Sequence, residues 1–157
     1  MNLESQLSLT LQSRKNLYHI LTTTSKEDLL RIPKGFRNNI RWNIAHVVAT
    51  QQILVYKFSG LKMRIPDEMV VKFMKGSFRD GTATDEEIKV IGDFLISTIE
   101  WIKQDFEEGL FKEYQPYKTS AGFQLNDVED AFNFNLLHEG LHTATIMTQL
   151  RHLKKDS

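Results

Sequence analysis

Between Thr84 and Gly109 the apolar residues recur every three or four positions, as Ile88, Ile91, Leu95, Ile99, Ile102 and Phe106. At 3.6 residues per turn these side chains form one stripe along a helix, and a helix carrying such a stripe has to bury it against other helices or a sheet. The start is also written in the sequence. Thr84-Asp85-Glu86-Glu87 reads as a capping box, in which the threonine side chain and Glu87 satisfy each other's free amides, and Gly109 ends the run. Three further segments have the same period. The first runs from about Asn2 to Leu21 with Leu3, Leu7, Leu11, Leu17 and Leu21, widened by Tyr18 and Ile20. The second is capped by Asn38 or Asn39 and continues through Ile40, Ile44, Val47, Val48, Gln51, Leu54 and Val55 to about Phe58, where Gly60 stops it. The fourth takes Asn126 as cap, with Glu129 three residues on, and carries Val128, Phe132, Leu136, Leu141, Ile146 and Leu150. Very little of the remainder has the alternation of a strand.

Four long amphipathic helices make an all-α four-helix bundle the expected architecture. At 157 residues and 41% hydrophobic content the chain is large enough for one real core, and without internal repeats residues 1–157 read as a single domain. Leu61 to Ala83 is a connection far longer than the 2–8 residues usual between antiparallel neighbours. It is long enough to return along the bundle as a crossover and leave the second and third helices parallel, with the fourth antiparallel to the second. Leu110 to Leu125, with Tyr114, Pro116, Tyr117, Gly122 and Phe123, is expected to be an ordered loop or small hairpin over one end, its aromatics part of a pocket wall.

Charge and composition narrow the partners. Twenty basic and twenty acidic side chains cancel, so no global field draws in nucleic acid or an anionic membrane. No run of eighteen apolar residues is present, and Met1-Asn2-Leu3-Glu4-Ser5 lacks the basic and apolar regions of a signal peptide, so a cytoplasmic protein is expected. There is no cysteine, which removes disulfides, thiolate nucleophiles and sulfur-ligated zinc together. Any metal then sits on nitrogen and oxygen, and any thiol chemistry needs a small molecule that brings the sulfur.

His138-Glu139-Gly140-Leu141-His142 places two imidazoles four positions apart, on one face of the fourth helix. The letters also spell the H-E-x-x-H of zinc proteases, whose glutamate is a general base. After His142, however, neither a third histidine in the metzincin register nor any glutamate follows. A third ligand has to come from upstream, where the histidines are His19 and His46. His46 lies ~10 Å into the second helix and His142 ~16 Å from the end of the fourth, depths that match in an antiparallel pair. His19, near the end of the first helix, reads as structural. His152 is ~15 Å along the helix from His142, too far to share its ion. Glu139 is the candidate general base. Asn43 and Thr50, one turn either side of His46, and Asn135, one turn before His138, are candidate supports of the ligands or pocket walls. Trp42, Phe132 and Phe134 read as core.

Trp42-Asn43-Ile44-Ala45-His46 near the start of a second helix, with His-Glu-x-x-His in a fourth helix about ninety residues later, resembles the DinB superfamily over nearly the whole chain. The resemblance implies a bundle of up-down-down-up order with a three-histidine metal site, a fold shared by DNA-damage-inducible DinB proteins, bacillithiol S-transferases and, more distantly, mycothiol-dependent maleylpyruvate isomerases. By position the implied ligands are His46, His138 and His142. Three neutral histidines leave a divalent ion its full charge and an open coordination position, with zinc and nickel leading and iron and manganese compatible. The expected activity is metal-dependent transfer of a low-molecular-weight, bacillithiol-type thiol to a small electrophile. Metal-dependent hydrolysis, or a non-catalytic, metal-stabilised stress module, stands as the alternative. A homodimer is expected, with Val70, Val71, Phe73 and Met74 of the long linker covering the shared surface.

Overall fold

The computed structural model describes residues 3–77 and 81–155. Its helices are α1 (Leu3–Thr23), α2 (Lys26–Leu30), α3 (Ile40–Val55), α4 (Asp67–Phe73), α5 (Asp85–Glu107) and α6 (Val128–Lys155), with a 3₁₀ turn at Lys57–Ser59. A two-stranded antiparallel hairpin, β1 (Tyr117–Lys118) and β2 (Gln124–Leu125), precedes α6 and pairs Tyr117 with Leu125. The four long helices α1, α3, α5 and α6 are those the periodicity predicts. No described helix is long and apolar enough to cross a membrane.

The local signals were largely obeyed. Asn39 caps α3, its side chain accepting from the Trp42 amide, and Gly60 ends the following turn at φ +70°. Thr84 caps α5 by accepting from the Glu87 amide at 3.1 Å. The other half of that box differs from expectation, because the Glu87 carboxylate pairs with Arg41 and Lys72. An ion pair to two cations outcompetes one exposed amide. The cap of α6 also moves one residue: Asp127 Oδ1 accepts from the Asp130 amide at 2.8 Å, while Asn126 bonds to the Asp130 carboxylate. On α6 the expected stripe is imperfect. Phe132 and Ile146 are buried, but Leu141 is 60% exposed, because the inward positions near it belong to His138, Glu139 and His142.

Contacts fix the relative directions. Along α3 and α6, Asn43 meets Gln149, His46 meets His142, and Leu54 packs with Ala131, so the two run antiparallel. Arg41 with Glu87 and Tyr56 with Asp105 make α3 and α5 parallel. Gln6 with Asn133 and Arg14 with Glu139 make α1 and α6 parallel. Leu7 near Phe106 and Gly92 against Tyr18 set α1 antiparallel to α5. In chain order the directions are up, down, down, up. The long crossover between α3 and α5 is not bare linker, because α4 forms inside it. Val70 and Phe73, assigned from sequence to a dimer surface, are buried in the core of this chain, while Val71 and Met74 are exposed.

The core is layered. One apolar cluster holds Leu17, Leu21, Ile44, Val48, Ile91, Leu95 and Ile146, and a second holds Leu7, Val55, Ile99, Ile102 and Phe132. On each helix buried polar residues fall between the two: Thr10 and Arg14 on α1, Gln51 on α3, Thr98 on α5, Asn135 and Glu139 on α6. The threonine hydroxyls turn back to their own helices, donating to Gln6 O and Phe94 O. Arg14 and Glu139 pair across the bundle. This polar layer lies at the depth of the histidines on α6.

Candidate metal centre

His138 and His142 project from one face of α6 because four residues are nearly one turn, and the antiparallel packing of α3 brings His46 opposite them. The ring centroids of His46 lie 5.1 Å from His138 and 4.7 Å from His142, and His138 is 4.5 Å from His142. One ring nitrogen from each lies within 4.8 Å of the other two, making these residues a group able to hold a cation. His19 is exposed, and His152 packs edge-on against Phe36 with Nδ1 2.9 Å from Thr148 O, so neither joins the cluster.

Hydrogen bonds decide which nitrogens are available. His46 Nδ1 is 2.6 Å from Phe73 O, which can only accept, so Nδ1 carries the proton and Nε2 the lone pair. The Thr50 hydroxyl lies 3.3 Å from that Nε2. Asn43 Nδ2 donates to Asn39 O at 2.9 Å and to Gln149 Oε1 at 3.2 Å, which orients the amide and turns Oδ1 toward His142. His142 Nδ1, 2.8 Å from Asn43 Oδ1, is therefore a donor as well, and its Nε2 is left basic. Carbonyl-type acceptors behind ring N–H groups are the usual support of metal-ligating histidines. His138 Nδ1 is buried without a hydrogen-bond partner among the described residues. Trp42 stacks on His46 at 4.4 Å and 13° and fixes its ring plane, a role beyond the core packing expected of it.

All three rings are neutral at pH 7. Burial pushes His138 down to about 3, helped by repulsion from His142, His46 and Arg14. Burial, then His46, lowers His142 to about 4. His46 is lowered by burial, with the Phe73 hydrogen bond opposing and Lys75 adding to the effect. Three uncharged nitrogen donors converging in a half-buried site, one of them an orphaned buried nitrogen, fit a divalent cation.

The sequence pattern that defines the DinB superfamily matches residues 9–146, and that span contains all three histidines. The chain belongs to the DinB superfamily. No curated protein gives a significant match to it. What distinguishes this DinB protein is therefore to be read from its own site.

Glu139 is not placed as a general base would be. Its two oxygens accept from Arg14 Nε at 2.8 Å and Nη2 at 2.7 Å, and Oε1 also accepts from Asn135 at 2.7 Å. Both lone-pair faces are engaged in the polar layer, and the charge is neutralised. Arg14 also reaches Val47 O at 3.3 Å, tying α1 to α3 beside His46 and to α6 beside His138. Sequence reasoning missed Arg14. The available signal was a cation at a core position of α1, seven residues from Leu7 and Leu21 and facing the glutamate of the motif.

A cavity of about 150 Å³ opens beside the cluster, with His46 and His138 in its wall. Phe58 and Tyr117, stacked at 4.4 Å, form one side, so the hairpin does supply an aromatic wall. Phe134, expected in the core, is half-buried and lines the cavity instead, 6.2 Å from His138. Thr50, Thr119 and Ser120 contribute hydroxyls, and Lys75 is the charged residue of the lining among the described residues.

Proposed function

We propose that this DinB protein binds a divalent metal ion through His46, His138 and His142, and uses it to transfer a low-molecular-weight thiol of bacillithiol type to a small electrophile. The convergence of three neutral imidazoles on one another, two of them in the wall of a cavity, carries the reading. Such an ion, zinc or nickel by preference for nitrogen donors, supplies a Lewis acid that makes a thiol or water nucleophilic near neutral pH. The chain has no cysteine, so a thiol must arrive with a cosubstrate. The residues around the cluster position rather than react. Phe73 O and Asn43 Oδ1 hold the ring protons of His46 and His142 on Nδ1, and Trp42 sets the plane of His46. The Arg14–Glu139 pair fixes α6 against α1. Phe58, Tyr117 and Phe134 give the cavity apolar walls beside the ligands, and a less polar surrounding strengthens electrostatic effects.

Protein prepared without an affinity tag and equilibrated with zinc or nickel tests the first step. One ion per chain is expected, lost in His138→Ala with helical circular dichroism retained. Monochlorobimane offered with a bacillithiol-type thiol tests the second: conjugation above background, abolished by His46→Ala, is expected. Metal bound as stated with no conjugation and no hydrolysis of ester substrates would leave the ion a structural one and refute the transferase.

A further inference from the structure

We propose that the cavity beside the histidines is a site for a small carboxylate, with Lys75 as the pairing cation, Thr119 and Ser120 as hydroxyl donors, and the aromatic walls holding an apolar body. This names the substrate class of the site described above and, in that sense, rests on the metal reading, although none of these residues is a cation ligand.

Among the described residues no carboxylate lines the cavity, and Lys75 is the one charged side chain there. Lys75 forms no ion pair with any described residue, in contrast to Lys26, Lys72, Lys89 and Lys103, which pair with Asp85, Glu87, Asp93 and Glu107. The nearby Glu139 is already neutralised by Arg14. The field at the cavity is therefore positive, and it favours an anion.

Lys75 sits on a tight turn closed by Ser77 N to Met74 O at 3.1 Å, with Gly76 at φ +83°. The turn is fastened to α3 on both sides: Phe73 O receives the His46 ring proton, and Ser77 Oγ accepts from Trp42 Nε1 at 3.0 Å. The same contacts that orient His46 thus hold Lys75 at the cavity rim. On the hairpin, Thr119 Oγ1 accepts from the Phe123 amide at 3.0 Å, so its hydroxyl proton is not used in that bond and is available to an acceptor in the cavity that Thr119 lines.

Size and donor number choose the anion. A cavity of about 150 Å³ matches the volume that takes one benzene ring. A single lysine with two hydroxyls suits a monoanion, whereas phosphate is characteristically gripped by arginine forks or several amides.

The test uses benzoate and its neutral isostere benzamide, titrated into ¹⁵N-labelled metal-free and zinc-treated protein and followed by chemical shift. Benzoate is expected to shift the resonances of residues 75, 119 and 120 and to bind about tenfold more tightly than benzamide. Lys75→Met should weaken benzoate about tenfold and leave benzamide unchanged, and Ser120→Ala should weaken benzoate to a smaller degree. Equal binding of the two probes, shifts elsewhere, binding only to zinc-treated protein without sensitivity to Lys75→Met, or tighter binding of phenyl phosphate would each overturn the proposal. Benzoate binding as expected in a protein that takes up no zinc would sink the metal reading and leave this one standing.

Discussion

Replacing Glu139 by glutamine separates two roles that the His-Glu-x-x-His spelling confuses. The Arg14 side chain is 0% exposed and that of Glu139 2%, and the carboxylate receives two guanidinium bonds at 2.7 and 2.8 Å. Glutamine keeps the shape and one acceptor but leaves the guanidinium as an uncompensated charge in the middle of the bundle. Breaking a buried pair from one side costs about 3–5 kcal/mol. In a chain of 157 residues that corresponds to a fall in Tm of roughly 6–20 °C, at about 2–4 °C per kcal/mol. Thermal and urea denaturation of the metal-free protein would measure it, with zinc affinity determined by chelator competition under conditions where the variant is folded. Affinity should stay near that of the parent, because all three nitrogen donors remain. The double variant Arg14→Met with Glu139→Leu should recover most of the stability, since a buried ion pair replaced by apolar groups of similar size is often neutral or better. Glu139→Gln with the parent's stability but no activity would refute the reasoning and restore the glutamate as a base. A double variant no better than the single one would refute the charge argument.

Two other outcomes follow from the site. Because the folded values of His138 and His142 lie at about 3 and 4, below the usual 6.5, the unfolded chain takes up protons first as pH falls. Stability of the metal-free protein should therefore decline from pH 6.5 downward, by about 1.4 kcal/mol per pH unit for each such histidine. Urea midpoints at pH 7, 6 and 5 should show that slope, and it should flatten when both are replaced by asparagine; an unchanged slope would contradict burial of neutral rings. Asn43→Ala removes the acceptor behind His142 and should weaken zinc binding about 10–100-fold by chelator competition, with Asn43→Asp retaining most of the affinity. Unaltered affinity in Asn43→Ala would mean that the hydrogen bond does not orient the ligand.

What could be read from the chain itself was mostly what has a local cause, though the cap of α6 and the short helix α4 escaped it. The stripes of α1, α3, α5 and α6, the caps at Asn39 and Thr84, and the stop at Gly60 depend on neighbours within one or two turns. Linker length was enough to suggest that α3 and α5 run parallel, and spacing alone placed His138 with His142. The match of depths between His46 and His142 anticipated an encounter that only the packing of α3 on α6 brings about. Tertiary structure alone decided the rest, because the partners come from distant parts of the chain. Glu139 answers to Arg14, 125 positions away, and His142 is turned by Asn43, 99 positions away. His46 donates to a carbonyl on α4, a helix the sequence reading left as linker. Side chains on one helix face are set by helical geometry, but which lone pairs face a cavity and which charges cancel is settled only when separate helices meet.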